Sequence, residues 1–369
     1  MAASGVELTI VVPTFQERDN IAPLVARLHA ALREVAWEVV FVDDNSPDGT
    51  ADAVRAIAHS DPRVRVIQRV GRRGLSGACV EGMLSSSAPY VAVMDADLQH
   101  DESVLPEMLR RLRSEALDVV VGSRYVTGGS TTGLDRYRLL LSRVGTRTAQ
   151  LLLGIGNLHD TMSGFFMLRR AALEPCLGRL SQQGFKVLLD ILVSAPRPLK
   201  FVEVPYRFAP RQYGSSKLGA AVAWDFAVLI LDKLVGRVVP ARFLLFCLIG
   251  GTGVLVHLGV LAVLRVVASF TAAQTGAVVA AMTSNYALNN AITYRDQRLR
   301  GRDFWRGLLS FYLICAAGAL ANVGIARLIY GHWAIWWLAG LAGALAGAVW
   351  NYAATRLYTW NRPGAPAGD

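Results

Sequence analysis

This 369-residue sequence predicts an α/β fold with a mainly parallel, doubly wound sheet, followed by an interfacial helix and four transmembrane helices. Three observations carry that prediction. Short β-branched runs alternate with amphipathic helical stretches through Met94, with short connections, the pattern of a parallel sheet. Successive runs end in acids or polar turns, as strands do when their C-terminal ends form a ligand site. From about Arg242 onward Ala, Leu, Val, Gly and aromatics dominate, in stretches long enough to cross a bilayer.

In chain order, Leu8–Val12 reads as a strand ending at Pro13, and Asn20 as the cap of a helix to Leu32 with Ile21, Leu24, Val25 and Leu28 on one face. Trp37–Val42 is the second strand. It runs into Asp43-Asp44-Asn45-Ser46-Pro47-Asp48-Gly49-Thr50, whose Asn45, Ser46 and Asp48 read as caps of a helix to about Ala58. Val64–Ile67 is the third strand, followed by a basic, glycine-bearing loop over Arg69–Gly77 and a helix to Ser85. Tyr90–Met94 is the fourth, stopping at Asp95 and Asp97, and Val119–Gly122 is a further strand that delivers Arg124.

A lone Asp-x-Asp is more often a solvated turn than a site. Here Glu17 follows the first strand, Asp44 the second, and Asp95 and Asp97 the fourth. Acids gathered at one sheet edge repel each other unless a cation or a ligand's hydrogen-bond donors lie between them. Asp95, Asp97 and the amide oxygen of Gln99 can turn toward one hard cation.

Further on, Arg136, Arg143 and Arg147 share one face of a predicted helix, with Leu140, Val144 and Leu151 on another. Such a segment is usually only a solvated helix; in this chain it can lie on a membrane surface. Arg138 and Ser142, four residues apart, can reach one phosphate group. Asp160-Thr-Met-Ser-Gly-Phe-Phe166 forms a loop and strand. Asp160 is the natural general base if one is needed, and the preferred alternative is that it orients a nearby arginine or backbone group. Phe208–Lys217 is a loop in which Gly214 permits close backbone approach between Arg211 and Lys217. Leu218–Gly236 reads as the amphipathic interfacial helix.

The predicted spans are Phe243–Val267, Phe270–Ile292, Leu308–Tyr330 and Trp333–Tyr352. Arginines cluster before the first, between the second and third (Arg295, Arg298, Arg300, Arg302, Arg306) and after the fourth, which puts both termini in the cytoplasm. Asn285–Tyr294 and Asn351–Trp360 repeat one pattern at the ends of the second and fourth spans. Asn285, Asn289 and Asn351 are costly against lipid and should face other helices. Gly250, Gly251, Gly253, Gly340, Gly343 and Gly347 should let helices approach. Four scattered cysteines without metal spacing suit a reducing compartment, and Met1–Glu7 lacks the apolar core of a secretory signal. With this apolar half, the net charge of +10 favours an anionic membrane surface and phosphate-bearing substrates over nucleic acid.

Pro13-Thr-Phe-Gln-Glu17, Val42–Thr50, Asp95-Ala-Asp-Leu-Gln-His100 and Gly122-Ser-Arg-Tyr125 resemble, in order, the motifs of inverting family 2 glycosyltransferases, and most of all the dolichol-phosphate (polyprenyl-phosphate) mannose synthases. The resemblance spans residues 6 to 220 and implies a Rossmann-like, GT-A-type nucleotide-sugar domain. By it, Pro13, Phe15, Glu17, Val42 and Asp44 hold the nucleoside, although this chain has Phe15-Gln16 where the family often has Tyr-Asn. Asp95, Asp97 and Gln99 ligate Mg²⁺ or Mn²⁺ on the donor diphosphate, with Ala96 also in the donor site. Arg124, Arg138 and Ser142 meet acceptor phosphate or donor diphosphate, and Arg211 and Lys217 belong to a loop that closes over the donor. The apolar block resembles the GtrA-like four-helix domain.

The implied domains are a cytoplasmic transferase over 1–217, an interfacial helix and linker over 218–240, the membrane domain over 241–362 and a tail over 363–369. The implied reaction is inverting transfer of a hexose, foremost mannose from GDP-mannose, to a dolichyl or polyprenyl phosphate. UDP-glucose is the alternative donor, and a lipid-sugar translocator with a regulatory nucleotide-binding domain is the alternative class. Homo-oligomerisation through the membrane domain is left open.

Overall fold

The computed structural model describes residues 5–130, 145–151, 156–181, 186–209, 228, 230–231, 240–333 and 336–360. Arg138, Ser142, Arg211 and Lys217, and nearly all of the predicted interfacial helix, lie outside the described residues. The chain divides into two compact units, Met1–Arg237 and Val238–Asp369.

In the N-terminal unit, β1 (Leu8–Thr14), β2 (Trp37–Asp43), β3 (Val64–Gln68), β4 (Tyr90–Val93), β5 (Val119–Ser123), β6 (Phe166–Arg169) and β7 (Phe201–Pro205) form one sheet in the order β3-β2-β1-β4-β6-β5-β7. Parallel pairing joins β3 to β2, β2 to β1, β1 to β4 and β5 to β7. The sheet is thus mainly parallel, as the alternation predicts. β6 alone runs antiparallel, between β4 and β5, with Phe166 opposite both Val93 and Val121. That reversal brings the start of β6, and the loop from Asp160 that leads into it, to the edge where the other strands end.

Side chains alternate across the sheet, so each strand serves two cores. Leu8, Ile10, Val12, Val39, Phe41 and Ala92 meet α1 (Arg18–Ala31), α2 (Thr50–Ala58) and α4 (Leu105–Ser114) on one face. Val11, Val40, Val42, Val91 and Val93 meet α3 (Leu75–Leu84) and α5 (Val187–Ser194) on the other. α1 begins at Arg18 rather than behind an Asn20 cap: Asn20 is buried inside it, donating through Nδ2 to Glu17 Oε2 at 2.6 Å. α3 crosses β1 and β2 closely at Gly82, where a Cβ would stand 2.9 Å from Val42 Cγ2 and closer still to Val11 Cγ1.

Among its described residues the C-terminal unit holds four long helices, α6 (Ala241–Leu264), α7 (Phe270–Leu288), α8 (Gly301–Trp333) and α9 (Trp336–Ala354). Two stretches among the described residues, Arg242–Leu264 and Gly301–His332, are long and apolar enough to cross a membrane. α6 packs on α7 and α8 on α9. The repeat seen in the sequence is structural: α7 and α9 each pass into a π-helical turn, Asn289–Thr293 and Thr355–Thr359. The two repeats meet at their ends, where Tyr294 stacks on Trp360 with ring centroids 4.0 Å apart and Trp360 Nε1 donates to Asn290 Oδ1 at 3.2 Å. Asn285 and Asn351 face neighbouring helices as expected, each amide lying against a glycine, Gly253 and Gly318 respectively. Asn289 is buried, but its amide bonds within its own helix, to Asn285 and Thr293. Gly343 and Gly347 also sit at close crossings, whereas a Cβ at Gly250, Gly251 or Gly340 would meet nothing within 4 Å.

Gly82→Ala tests the α3 crossing. Overpacking against two β-branched side chains costs about 1–3 kcal/mol, more than the ~1 kcal/mol that Gly→Ala gains in helix propensity. Chemical unfolding of the N-terminal unit should show net destabilisation; equal or greater stability would mean that α3 does not approach the sheet this closely.

Candidate active site

The site is built at one sheet edge, from the C-terminal ends of the parallel strands and the start of β6. Thr14 pairs with Asp43 in register, so the loops after β1 and β2 leave side by side. They are then stitched together. Gln16 N donates to Ser46 Oγ at 2.9 Å, Glu17 N to Thr50 Oγ1 at 3.1 Å and Arg18 N to Asp48 Oδ2 at 3.3 Å. These N–H groups open α1, where a helix has donors without intrahelical partners. Ser46 and Asp48 therefore serve the preceding helix as much as the following one. α2 begins behind Gly49, whose φ of +83° suits glycine, and Asn45 Oδ1 instead accepts from Gln68 Nε2 at 2.7 Å.

The adjacent acids divide. Asp43, fully buried, accepts from Thr14, from the Ser46 backbone and from the Ser46 hydroxyl. Asp44 pairs through Oδ1 with Arg69 Nη1 at 2.5 Å and accepts the Gly74 N–H through Oδ2 at 2.6 Å. The repulsion expected among strand-end acids is met here by Arg69, which the sequence marks only as part of a basic loop. Phe15 lies in the first loop with the Arg73 guanidinium 4.7 Å above its ring centre. The side chains of Val42 and Ala96 are packed in the core, so any ligand contact at those positions is by backbone; Pro13 is buried in β1.

Among the described residues three non-glycine residues have left-handed backbones, and each follows a different strand: Gln16 (φ +57°), Asn45 (+55°) and Leu98 (+61°). Such conformations cost about 1–3 kcal/mol each and concentrate at functional sites. At Leu98 the buried side chain anchors the turn while Asp97 and Gln99 flank it. Asp97 Oδ1 accepts the Gln99 N–H at 3.2 Å. Gln99 exchanges two hydrogen bonds with Ala209: Nε2 donates to its carbonyl at 2.9 Å, and its N–H donates to the Gln99 carbonyl at 3.0 Å. With Nε2 so engaged, the amide oxygen is the group left to face a ligand.

His100 holds this loop from beneath. Its Nδ1 accepts the Asp95 N–H at 3.1 Å, which leaves the ring proton on Nε2, 3.8 Å from Asp95 Oδ2. The ring stacks on Phe165 and meets the edge of Tyr206. Burial depresses its pKa to about 4, against the pull of Asp97, so His100 stays neutral.

Two carboxylates and an amide oxygen are the hard donors that Mg²⁺ and Mn²⁺ prefer. A Cβ on Gly164 would stand 3.3 Å from Asp95 Oδ2, so glycine keeps clear the space in front of that carboxylate, which is itself 40% exposed. Among the described residues no three His, Cys, Asp or Glu side chains are grouped to hold a metal. Asp95, Asp97 and Gln99 could therefore supply at most part of a cation's shell.

Opposite the acid loop, Arg124 follows β5 and pairs with Asp160 in a two-pronged contact, Nε to Oδ2 and Nη2 to Oδ1, each at 2.8 Å. Asp160 is fully buried and also accepts the Arg124 N–H at 3.3 Å. Burial works to lower the Arg124 pKa; the bonds and charge of Asp160 outweigh it, and the net shift is upward. Asp160 is thus the arginine's orienting partner. Lys186, just before α5, is a cation absent from the sequence expectations. Burial, and then Arg124, depress its pKa to about 8, while Asp160 and Asp95 oppose them. The described site therefore gathers Asp95, Asp97, Gln99, His100, Arg124, Asp160 and Lys186 at β4, β5 and β6, with Phe15, Glu17, Asp44 and Arg69 at β1 to β3.

Removing one partner of a buried ion pair costs about 3–5 kcal/mol because the other charge is stranded. Arg124→Ala, Asp160→Ala and the double variant should accordingly be strongly non-additive in unfolding free energy. Additive losses would contradict the pairing.

Residues 9–177 match the family described as Glycosyl transferase family 2, and residues 245–360 match the GtrA/DPMS transmembrane domain. The Dolichol-phosphate mannosyltransferase of Pyrococcus furiosus is 32% identical over 358 residues, covering 96% of this chain and 99% of that protein. The Saccharomyces cerevisiae protein of the same name is 36% identical over 253 residues, covering 66% of this chain and 92% of that protein. Among solved structures, glucosyl-3-phosphoglycerate synthase from Mycobacterium tuberculosis is 17% identical, with 63% of this chain and 80% of that one covered at a TM-score of 0.46. The α/β unit is GT-A-like, the chain is a membrane protein, and it belongs to the dolichol-phosphate mannosyltransferase family of family 2 glycosyl transferases.

Proposed function

We propose that the protein transfers mannose from GDP-mannose to the phosphate of a membrane dolichyl or polyprenyl phosphate, inverting the anomeric centre. The observation that supports this most is the match to a dolichol-phosphate mannosyltransferase through 96% of this chain and 99% of that protein. A translocator with a regulatory nucleotide domain would not need the arrangement at the sheet edge, where oxygen donors face a retained arginine.

In this reading the donor nucleoside lies over the ends of β1 to β3, near Phe15, Glu17 and Asp44, with Pro13, Val42 and Ala96 offering backbone only. Asp95, Asp97 and Gln99 would hold Mg²⁺ or Mn²⁺. Bound there, the cation supplies neutralisation of charge on the leaving diphosphate. His100 fixes the Asp95 backbone, and its neutral ring adds no charge to that balance. Arg124, aimed by Asp160, attracts a phosphate at the acceptor side, and we assign Arg138 and Ser142 to the same task. Arg211 and Lys217 are assigned to the donor diphosphate.

The acceptor phosphate has a second pKa of about 6 and is largely dianionic at neutral pH, so it attacks without a protein base. What the protein contributes is in-line positioning of two anionic substrates. The membrane unit is assigned four spans, with both termini and the catalytic unit on the cytoplasmic side, from the distribution of its arginines.

Membranes containing the protein, incubated with polyprenyl phosphate, a divalent cation and labelled donors, should move label from GDP-mannose into the lipid phase. Chelation should stop transfer and Mg²⁺ or Mn²⁺ should restore it. Label from UDP-glucose alone would overturn the donor assignment, and no label from any donor would overturn the enzymatic one. Asp97→Ala should lower kcat/KM at least a hundredfold, about 3 kcal/mol of transition-state stabilisation; undiminished transfer would exclude the cation-site assignment.

A further inference from the structure

We propose that Arg73 reads the base of the donor nucleotide, directing its guanidinium at the O6 and N7 acceptors of guanine. The inference rests on the donor reading above and adds the residue that would distinguish guanine from uracil.

Arg73 lies on a loop that is pinned at both ends. The Arg69 N–H donates to the Asp43 carbonyl at 2.8 Å, extending the β2–β3 pairing. At the other end Gly74 gives its N–H to Asp44 Oδ2, and its carbonyl accepts from Arg69 Nη1 at 3.0 Å. The side chain of the first residue thus ties down the last, and Asp44 ties down both. Between them the chain turns through Gly71 at a φ of +72° and enters Gly74 at +134°, conformations open to glycine. Arg72 is turned away to Glu81, at 2.9 Å. Arg73 is turned the other way, onto the ring of Phe15.

An exposed arginine on an aromatic ring is common and worth little by itself. Here the ring belongs to the loop after β1 and the arginine to the loop after β3, two of the three strand ends over which the nucleoside is placed. Side chains built at Gly71 and Gly74 would meet nothing within 4 Å, so the loop is open on either side of Arg73. The contact with Phe15 holds the guanidinium beside that ring, and a guanidinium held on an aromatic face can still offer an N–H edge to a ligand. An arginine edge matches the adjacent O6 and N7 acceptors of guanine in two parallel bonds; lysine cannot reproduce that geometry. Uracil offers no such pair, since its two acceptors, O2 and O4, are separated by the N3–H donor. The guanidinium therefore favours a guanine nucleotide by geometry.

The test uses the full-length protein in detergent and measures binding of GDP, 7-deaza-GDP and UDP by calorimetry, in wild type and in Arg73→Ala and Arg73→Lys. 7-Deaza-GDP lacks the N7 acceptor and is otherwise GDP. Wild type should bind it about tenfold more weakly than GDP. Both variants should bind GDP about tenfold more weakly than wild type and should scarcely distinguish GDP from its 7-deaza analogue. Arg73 is exposed, so folding is not at risk, and unchanged melting of the variants checks this. An equal penalty for 7-deaza-GDP in wild type and variants, or undiminished GDP binding by Arg73→Ala, overturns the role of Arg73 and leaves the donor reading standing. Binding of UDP and not GDP by wild type overturns both.

Discussion

The buried pair of Arg124 and Asp160 is the constraint on which the rest of the site depends. Two charges out of water are costly, and their attraction repays that cost only when geometry and further hydrogen bonds are good. Here both conditions hold: the contact is two-pronged, the Arg124 backbone adds a third bond, and Asp160 N donates to Glu203 at 3.0 Å. The pair locks the end of β5 to the segment before β6, and so makes the antiparallel strand part of the site. It also settles two chemical questions together. Asp160 is committed to an arginine, and Arg124 keeps its charge at every working pH.

The remaining acids follow the same logic to different ends. Asp43 and Asp44 are consumed in holding loops, the first through hydroxyl and amide donors and the second through Arg69 and Gly74. Asp95 and Asp97 have the oxygen-rich, glycine-lined setting that suits a cation. Backbone strain follows the same map, since the left-handed non-glycine residues among those described, Gln16, Asn45 and Leu98, lie in the loops that leave β1, β2 and β4. The core supports that strain: Leu98 is anchored by its own buried side chain, and the first two loops hold each other through Ser46, Asp48 and Thr50.

Much of this was legible in the residues. Alternating β-branched and amphipathic runs specify a parallel sheet because each needs the other's apolar face, and acids after strand ends mark the edge where the candidate site lies. Asp160 as an arginine's orienting partner was also readable, as the preferred alternative to a general base. The reversal of β6 was not, because a four-residue apolar strand carries no sign of direction. α4 is absent from the sequence expectations although Leu105, Met108, Leu109 and Leu112 have helical spacing. Asp44 and Arg69 are 25 residues apart, and their pairing depends on the β2–β3 register, which sequence alone does not set. His100 and Lys186 carry their significance through burial and neighbours, neither of which is local. In the membrane unit, counting glycines singled out Gly250, Gly251 and Gly340, which face open space, and missed Gly318, which receives Asn351.

In the proposed reaction the acceptor phosphate is its own nucleophile, because Asp160, the acid marked by the sequence as the candidate base, is committed to Arg124. The acid limb of the pH–rate profile tests this most directly, measured with a lipid phosphate and with a lipid phosphorothioate whose second pKa is lower. If the dianion attacks unaided, the limb lies near pH 6 for the phosphate and moves to lower pH with the phosphorothioate. A limb that stays at one pH for both acceptors would report a titrating protein group, and would contradict the account.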